Sequence, residues 1–173
     1  MPLPFQVEGT IEVLAQPSSL TCWATAYTMM KSWKDQASYD IPTALGQVGQ
    51  QYVDLFNANK ALPADQFGPF LSNARLSHLA PVNLSVDGWL HQLQSHGLTW
   101  VGTMNSVNPG AGLHSRIVQG MSGDGSAAGT NMLMIDPAGG QTYEEALTVF
   151  IQKYETAYKN SGDDQYIQIR FFG

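Results

Sequence analysis

The chain contains a single cysteine, Cys22, within the stretch QPSSLTCWA at residues 16–24. A free thiol is mostly protonated at neutral pH, but a helix N-terminus or a neighbouring imidazolium lowers its pKa and makes it a nucleophile. Apolar residues recur at three- and four-residue spacing after Cys22, which predicts a helix over residues 20–33. We therefore expect Cys22 in the first turn of a helix, where its thiolate is favoured.

A base for this thiol must come from one of four histidines, namely His78, His91, His96 and His114. Two of them lie on the polar side of a helix predicted over residues 86–96, which is typical of a solvated face. His78 lies in a predicted loop and has no evident partner. His114 opens a predicted strand after a loop of small residues, so we expect its ring at a sheet edge above a cleft.

Asp136 is the carboxylate expected to orient that ring. It ends a predicted return strand, 131–135, of the hairpin that His114 begins, and adjacent antiparallel strands can bring the two side chains together on one face. An aspartate before proline is also a common turn residue. Asn131 and Asp124 are the next candidates for the orienting role.

Gln16 lies six positions before Cys22. Attack of a thiolate on a carbonyl places negative charge on the oxygen, which amide N–H groups stabilise. The side-chain amide of Gln16 and the backbone N–H of Cys22 are the predicted donors. Gln16 is also compatible with an ordinary loop position, because the chain is rich in glutamine.

Composition excludes several classes of protein. Charged residues make up 13% of the chain and the net charge is −6, which argues against binding to nucleic acid or to an anionic membrane. One cysteine allows neither an internal disulfide nor a zinc site with two thiolates. The loop around Asp124 is a poor calcium site. No cofactor or metal is expected.

The location of the protein is predicted from its first residues. The start MPLPFQVEGT lacks the basic and apolar regions of a signal peptide, and no run of eighteen apolar residues occurs. We therefore expect synthesis in a cytoplasm without membrane insertion. Secretion or injection by a route that reads no N-terminal signal is compatible with this sequence.

The elements that position these residues form two halves of one predicted domain, 1–173. A helical half at about 15–97 precedes a sheet half at about 98–173, which gives an α+β fold with an antiparallel sheet. Helices are predicted at 20–33, 41–56, 64–74, 86–96 and 142–158. Strands are predicted at 98–104, 113–121, 131–135 and 165–172, and residues 5–14 are a short strand or an extended arm.

These residues resemble papain-like cysteine peptidases. Gln16 followed after five residues by Cys22-Trp23-Ala24 is similar to the N-terminal active-site segment of that family. His114 at the start of a strand, a glycine-rich hairpin and Asp136-Pro137 follow in the order seen in its short C39-like and AvrRpt2-like bacterial branches. Ser115 and Arg116 after the histidine depart from the small and apolar residues usual there.

The resemblance implies a papain-like fold and a thiol hydrolase of peptide or other amide bonds. It makes Cys22 the nucleophile, His114 the general base, Asp136 the orienting residue and Gln16 the oxyanion donor. Protein or peptide substrates are expected, including the stem peptides of peptidoglycan, and the family and small size suit a bacterial effector or toxin restrained by an inhibitor or immunity protein. Deamidation, acyl transfer and an inactive binding module are the alternatives, because a fold and a triad do not separate them.

Overall fold

The computed structural model describes residues 3–173, in which helices precede most of the sheet. This part of the chain contains six helices and seven strands. In chain order the elements are β1 (Phe5–Gln6), α1 (Cys22–Asp35), α2 (Ile41–Gly46), α3 (Gln50–Asn57), α4 (Ala64–Asn73), β2 (Ser77–His78), α5 (Val86–His96), β3 (Thr99–Met104), β4 (Leu113–Gly123), β5 (Thr130–Asp136), β6 (Gln141–Ala146), α6 (Leu147–Ser161) and β7 (Ile169–Phe171).

The strands form one antiparallel sheet in the order β2-β7-β3-β4-β5-β6, and β1 pairs with β4. The predicted α+β class is therefore confirmed. The boundary between two halves near residue 97 stays a prediction. Among residues 3–173, no helix combines the length and the apolar character that a bilayer crossing requires.

Helix α1 forms as the spacing of its apolar residues predicts. Trp23, Ala26, Tyr27 and Met30 are all buried on its inner side. The helix ends where Gln36 adopts a left-handed conformation and its N–H donates to the carbonyls of the last turn. Its observed span begins and ends two residues later than predicted, so that Cys22 is its first residue.

The single helix predicted over 41–56 is wrong, because the structure divides it into α2 and α3. Asp40 caps α2 by accepting a hydrogen bond from the Thr43 N–H at 2.8 Å. The break falls between Gly46 and Gly49, where the low helix propensity of glycine weakens a continuous helix. The predicted buried side of this segment agrees with the structure at Leu45 and Tyr52, which are both buried.

The predicted helix 142–158 is wrong at its start. Residues Gln141–Ala146 form strand β6, and α6 begins only at Leu147. The reason is the turn before them, in which Gly139 and Gly140 both adopt positive φ and send the chain back along β5. Pairing with β5 then overrides the helix propensity of the two glutamates in β6.

Smaller differences concern the other edge of the sheet. The short strand β2 has no counterpart in the sequence prediction, and β7 is shorter than the predicted 165–172. The predicted start and stop of α5 agree with the structure: Ser85 accepts from the Gly88 N–H at 3.1 Å, and Gly97 follows its last residue.

Phe70 of α4 joins the helices to the sheet. Its ring is fully buried and meets four aromatic rings edge-on at centroid distances of 4.9–6.2 Å; these belong to Trp23, Tyr27, Tyr52 and Trp100. Trp23 follows Cys22 directly, and Trp100 lies on β3. Edge-to-face pairs of this kind add to the stability gained by burial. The cluster therefore fixes the start of α1 relative to the sheet.

Replacing this ring tests the role of the cluster. We expect Phe70→Ala to lower the free energy of unfolding by about 3–5 kcal/mol, because it removes a buried aromatic side chain and leaves a cavity. Urea unfolding followed by circular dichroism measures the change. Val149→Ala is the control, since Val149 is 39% exposed; equal losses in both variants would contradict a central role for Phe70.

Candidate active site

Cys22 lies at the N-terminus of α1 and on the wall of a cleft of about 400 Å³. The preceding residue, Thr21, stays outside the helix, and its hydroxyl donates back to the Ser18 carbonyl at 2.9 Å. As the first helical residue, Cys22 has a backbone N–H that finds no acceptor within the helix. The thiol is half-buried. One residue thus offers both a nucleophile and a free N–H donor to the cleft.

His114 and Asp136 meet where β4 begins and β5 ends. The register pairs Ile117 with Ile135, so Arg116 lies opposite Asp136 one residue further along. His114 is two residues before Arg116 and shares its face of the sheet. His114 Nε2 lies 2.6 Å from Asp136 Oδ1, and both side chains are more than nine-tenths buried. Nδ1 is therefore the ring nitrogen left to face the sulfur.

The electrostatics of the site favour an ion pair between sulfur and imidazole. Burial alone would raise the pKa of Cys22, but a hydrogen bond from His114 and its positive charge bring that pKa below its ordinary value. Burial alone would lower the pKa of His114, but the hydrogen bonds and charges of Asp136 and Cys22 raise it. The thiolate and the imidazolium therefore stabilise each other.

Ser115 also helps to stabilise the thiolate of Cys22, although no sequence motif marks it as a functional residue. Hydrogen bonds from its backbone N–H and its hydroxyl help to lower the pKa of Cys22. Ser115 is 8% exposed and lines the same cleft as Cys22 and His114. It occupies one of the two positions at which this chain departs from the family pattern.

Arg116 occupies the other of these positions and holds Asp136 in place. Its Nε donates to Asp136 Oδ2 at 2.9 Å, while Oδ1 accepts from His114 and from the Ala138 N–H. Burial would raise the pKa of Asp136, but the hydrogen bond from His114 and the charge of Arg116 hold it at about 2. The carboxylate is thus ionised throughout the physiological range.

The other donors of Arg116 are also engaged. Nη1 donates to the Thr103 hydroxyl at 2.8 Å and to the Met104 carbonyl at 2.9 Å, and Nη2 donates to the Asn105 carbonyl at 2.8 Å. A buried guanidinium with partners on all its nitrogens positions the carboxylate without an uncompensated charge. These partners lie at the end of β3, and no sequence motif marks these side-chain contacts, so the role of Arg116 was not predictable.

Gln16 lies close to these residues through the backbone. Its N–H donates to the Pro137 carbonyl at 2.7 Å, which ties the loop before α1 to the residues after Asp136. Its side-chain Nε2 donates to the Ser18 carbonyl at 2.8 Å and to the Ser19 carbonyl at 3.2 Å. In this conformation the amide donors are turned toward the loop that leads into α1.

The alternative candidates for the orienting role lie elsewhere. Asn131 is at the opposite end of β5 and donates to Glu144 at 2.9 Å. Asp124 accepts from the Ser126 N–H at 2.8 Å in the hairpin loop. The structure therefore brings Asp136, and neither of these, to His114. Among residues 3–173, no three histidine, cysteine or acidic side chains gather as metal ligands.

The cleft beside Cys22 is lined largely by apolar side chains. Leu20 and Leu113 both line it and are about half exposed. Leu62, Phe67 and Tyr166 contribute further to the lining. Exposed apolar side chains around a concave site are typical of surfaces that bind a ligand.

Comparison with known proteins gives one family. The family model described as papain-like cysteine protease AvrRpt2 matches residues 5–155 of this chain. No significant match was found among the curated proteins.

The ion pair predicts how alkylation of Cys22 depends on pH. Because the pKa of Cys22 is lowered, the rate with iodoacetamide should rise through a midpoint below the ordinary thiol value. In His114→Ala, burial acts without the imidazolium, so the midpoint should move to or above that value. Mass spectrometry of the intact chain measures both profiles without ambiguity, because no other cysteine is present. Coincident profiles would contradict the ion pair.

Proposed function

Since the matched residues cover most of its length, the chain belongs to the family of papain-like cysteine proteases described by AvrRpt2, and we propose that Cys22, His114 and Asp136 form its catalytic triad. The protein is a cysteine peptidase and its substrates are proteins. What supports the assignment of the triad is the position of His114 between the Asp136 carboxylate and the Cys22 sulfur.

The first half of the proposed reaction forms an acyl-enzyme. The Cys22 thiolate attacks the carbonyl carbon of the scissile peptide bond, and the oxygen becomes negatively charged. The His114 imidazolium then gives its proton to the leaving nitrogen, the C–N bond breaks and the amine departs. Asp136 keeps the imidazole in the required orientation, since it accepts from Nε2 and leaves Nδ1 toward the sulfur.

The second half regenerates the thiolate. Neutral His114 takes a proton from water, and the resulting hydroxide attacks the thioester carbonyl. The C–S bond breaks, the carboxylic acid leaves, and the thiolate and the imidazolium are restored. An amine in place of water would give acyl transfer, and attack on a side-chain amide would give deamidation.

Gln16 completes the proposed site together with the N–H of Cys22. The Cys22 N–H has no acceptor within its helix, so it is available to the oxyanion. The side-chain amide of Gln16 is the second donor. It gives up the longer of its two hydrogen bonds, the one to the exposed Ser19 carbonyl, and donates to the charged oxygen instead. A hydrogen bond to an anion is stronger than one to a neutral carbonyl, which favours this exchange in the transition state.

Mutagenesis tests these roles. We expect Cys22→Ala to abolish cleavage and Gln16→Ala to lower kcat by about two to three orders of magnitude, because one oxyanion donor is lost. The measurement is cleavage of a peptide library derived from a proteome, read by mass spectrometry, which also separates chain cleavage from deamidation.

The control for Gln16 is Gln152→Ala, because Gln152 is an exposed glutamine of α6 outside the lining of the cleft. It should leave kcat unchanged. Full activity of Gln16→Ala would remove Gln16 from the site, and full activity of Cys22→Ala would overturn the mechanism.

We further propose that the protease is a bacterial effector or toxin that acts in another cell and is restrained by an immunity protein or another inhibitor. The resemblance to short bacterial branches of the clan supports this role. Stem peptides of the cell wall are a second class of target that the same chemistry reaches.

Expression in a bacterial host tests this role. We expect the wild type to inhibit growth and Cys22→Ala, at equal protein level, to be harmless, because toxicity requires the thiolate. Growth is compared after expression in the cytoplasm and, separately, in the periplasm. Inhibition from the periplasm alone would indicate cell-wall targets. Equal growth with both forms in both compartments would contradict toxicity toward bacteria.

A further inference from the structure

Arg170 is a buried cation in the same cleft as Cys22. It lies on β7, directly opposite Trp100 of β3, and only 1% of its surface is exposed. The residues that line the cleft include both Arg170 and Cys22. Arg170 also lies beyond the segment that matches the family model, which ends at residue 155.

Aromatic rings cover the guanidinium of Arg170. The Phe67 centroid lies 4.3 Å and the Trp100 centroid 4.6 Å from the guanidinium carbon. Cation–π contacts of this kind stabilise a desolvated cation and leave the N–H donors at its edge free for other partners. Phe67 is itself a lining residue of the cleft.

The edge of the guanidinium is only partly satisfied. Nη2 donates to the Ile167 carbonyl, but the buried Nε and Nη1 atoms have no hydrogen-bond partner. No carboxylate among residues 3–173 forms an ion pair with Arg170. Asp163 also lines the cleft, but its Oδ1 accepts from the Gln165 N–H at 2.9 Å. Arg116, equally buried, has an acceptor on every nitrogen.

Tyr166 lies beside Arg170 and also lines the cleft. Gly102 has no side chain and so leaves room for the Tyr166 hydroxyl and for Arg170 Nη2. A Cβ atom at this position would lie 2.6 Å from the hydroxyl and 3.4 Å from Nη2. Burial lowers the pKa of Arg170, while the Tyr166 hydroxyl and the charge of the Cys22 thiolate oppose that effect. The guanidinium and the reacting sulfur thus belong to one cleft.

An unpaired buried charge is costly, and each buried donor without an acceptor adds to the cost. Both costs fall when an anion with two oxygens reaches the edge of the guanidinium, because Arg binds carboxylates through parallel N–H donors. Tyr166, whose hydroxyl neighbours Nη2, is a partly buried residue that lines the cleft.

We propose that Arg170 determines specificity by binding a carboxylate of the protein substrate next to the scissile bond, while Phe67 and Leu62 contact its aliphatic part. This inference rests on the proposed function, because it places substrate in the cleft beside Cys22. An aspartate or glutamate side chain and a free chain terminus share this chemistry, and the experiment separates them.

The wild-type enzyme is first profiled on a peptide library derived from a proteome. Cleaved peptides should be enriched in an acidic residue, or in a free carboxyl terminus, at one fixed position relative to the cut. A matched pair with glutamate and glutamine at that position should differ by about 10- to 100-fold in kcat/KM, as expected for a hydrogen-bonded charge. Amidation of the terminus shows whether the chain end is the ligand.

Arg170→Met then removes the charge and keeps a long side chain between the two rings. We expect it to bring the ratio of the pair to about one, chiefly by slowing the glutamate peptide, whereas the exposed Arg75→Met should leave the ratio unchanged. Melting temperatures verify that both variants fold. If Arg170→Met does not fold, the wild-type profile decides alone.

Two results would overturn the assignment of Arg170 and leave the protease intact: cleavage by the wild type without any carboxylate preference, or a preference that Arg170→Met retains. If the wild type cleaves no peptide in the library, the proposed triad fails and the specificity role of Arg170 fails with it.

Discussion

The hydrogen bond between His114 and Asp136 constrains the whole site, because it decides which nitrogen of the imidazole faces the sulfur. With Nε2 held 2.6 Å from the carboxylate, the ring has only Nδ1 to offer Cys22. The sulfur belongs to the first residue of α1, whereas the ring and the carboxylate belong to β4 and β5. Any shift between α1 and the sheet would separate them, so the aromatic cluster around Phe70 serves the chemistry as well as the core.

Two buried arginines near the site illustrate opposite solutions to the cost of burying a charge. Arg116 is paired with Asp136 and bonded to three groups at the end of β3, so its charge is compensated within the protein. Arg170 is covered by aromatic rings and keeps two donors without partners. A compensated charge is suited to hold a catalytic carboxylate in place, whereas an incompletely paired one is suited to receive a ligand.

The sequence predicts the site residues whose chemical type coincides with a local pattern of helix or strand. The helix that begins at Cys22, the strand that carries His114 near its start and the return strand that ends at Asp136 are all local patterns. The antiparallel pairing of the two strands brings His114 and Asp136 together. The residues whose roles depend on side-chain contacts between elements were not predictable. Arg116 read as a departure from a family pattern, and Arg170 as one polar position in an alternating strand. Strand β6 read as the start of a helix, because its pairing with β5 overrides local propensity.

The placement of the tryptophans gives the protein an intrinsic optical reporter. Trp23 follows the nucleophile and Trp100 stacks on Arg170, while Trp33 packs against Gly97 and Trp89 against Phe150 and Tyr154. Trp23 lines the cleft, so its indole experiences a change in polarity when the cleft fills, and the three indoles outside the lining provide the background. Emission from the unlabelled chain can follow occupancy of the cleft in real time, without a chromophore on the peptide.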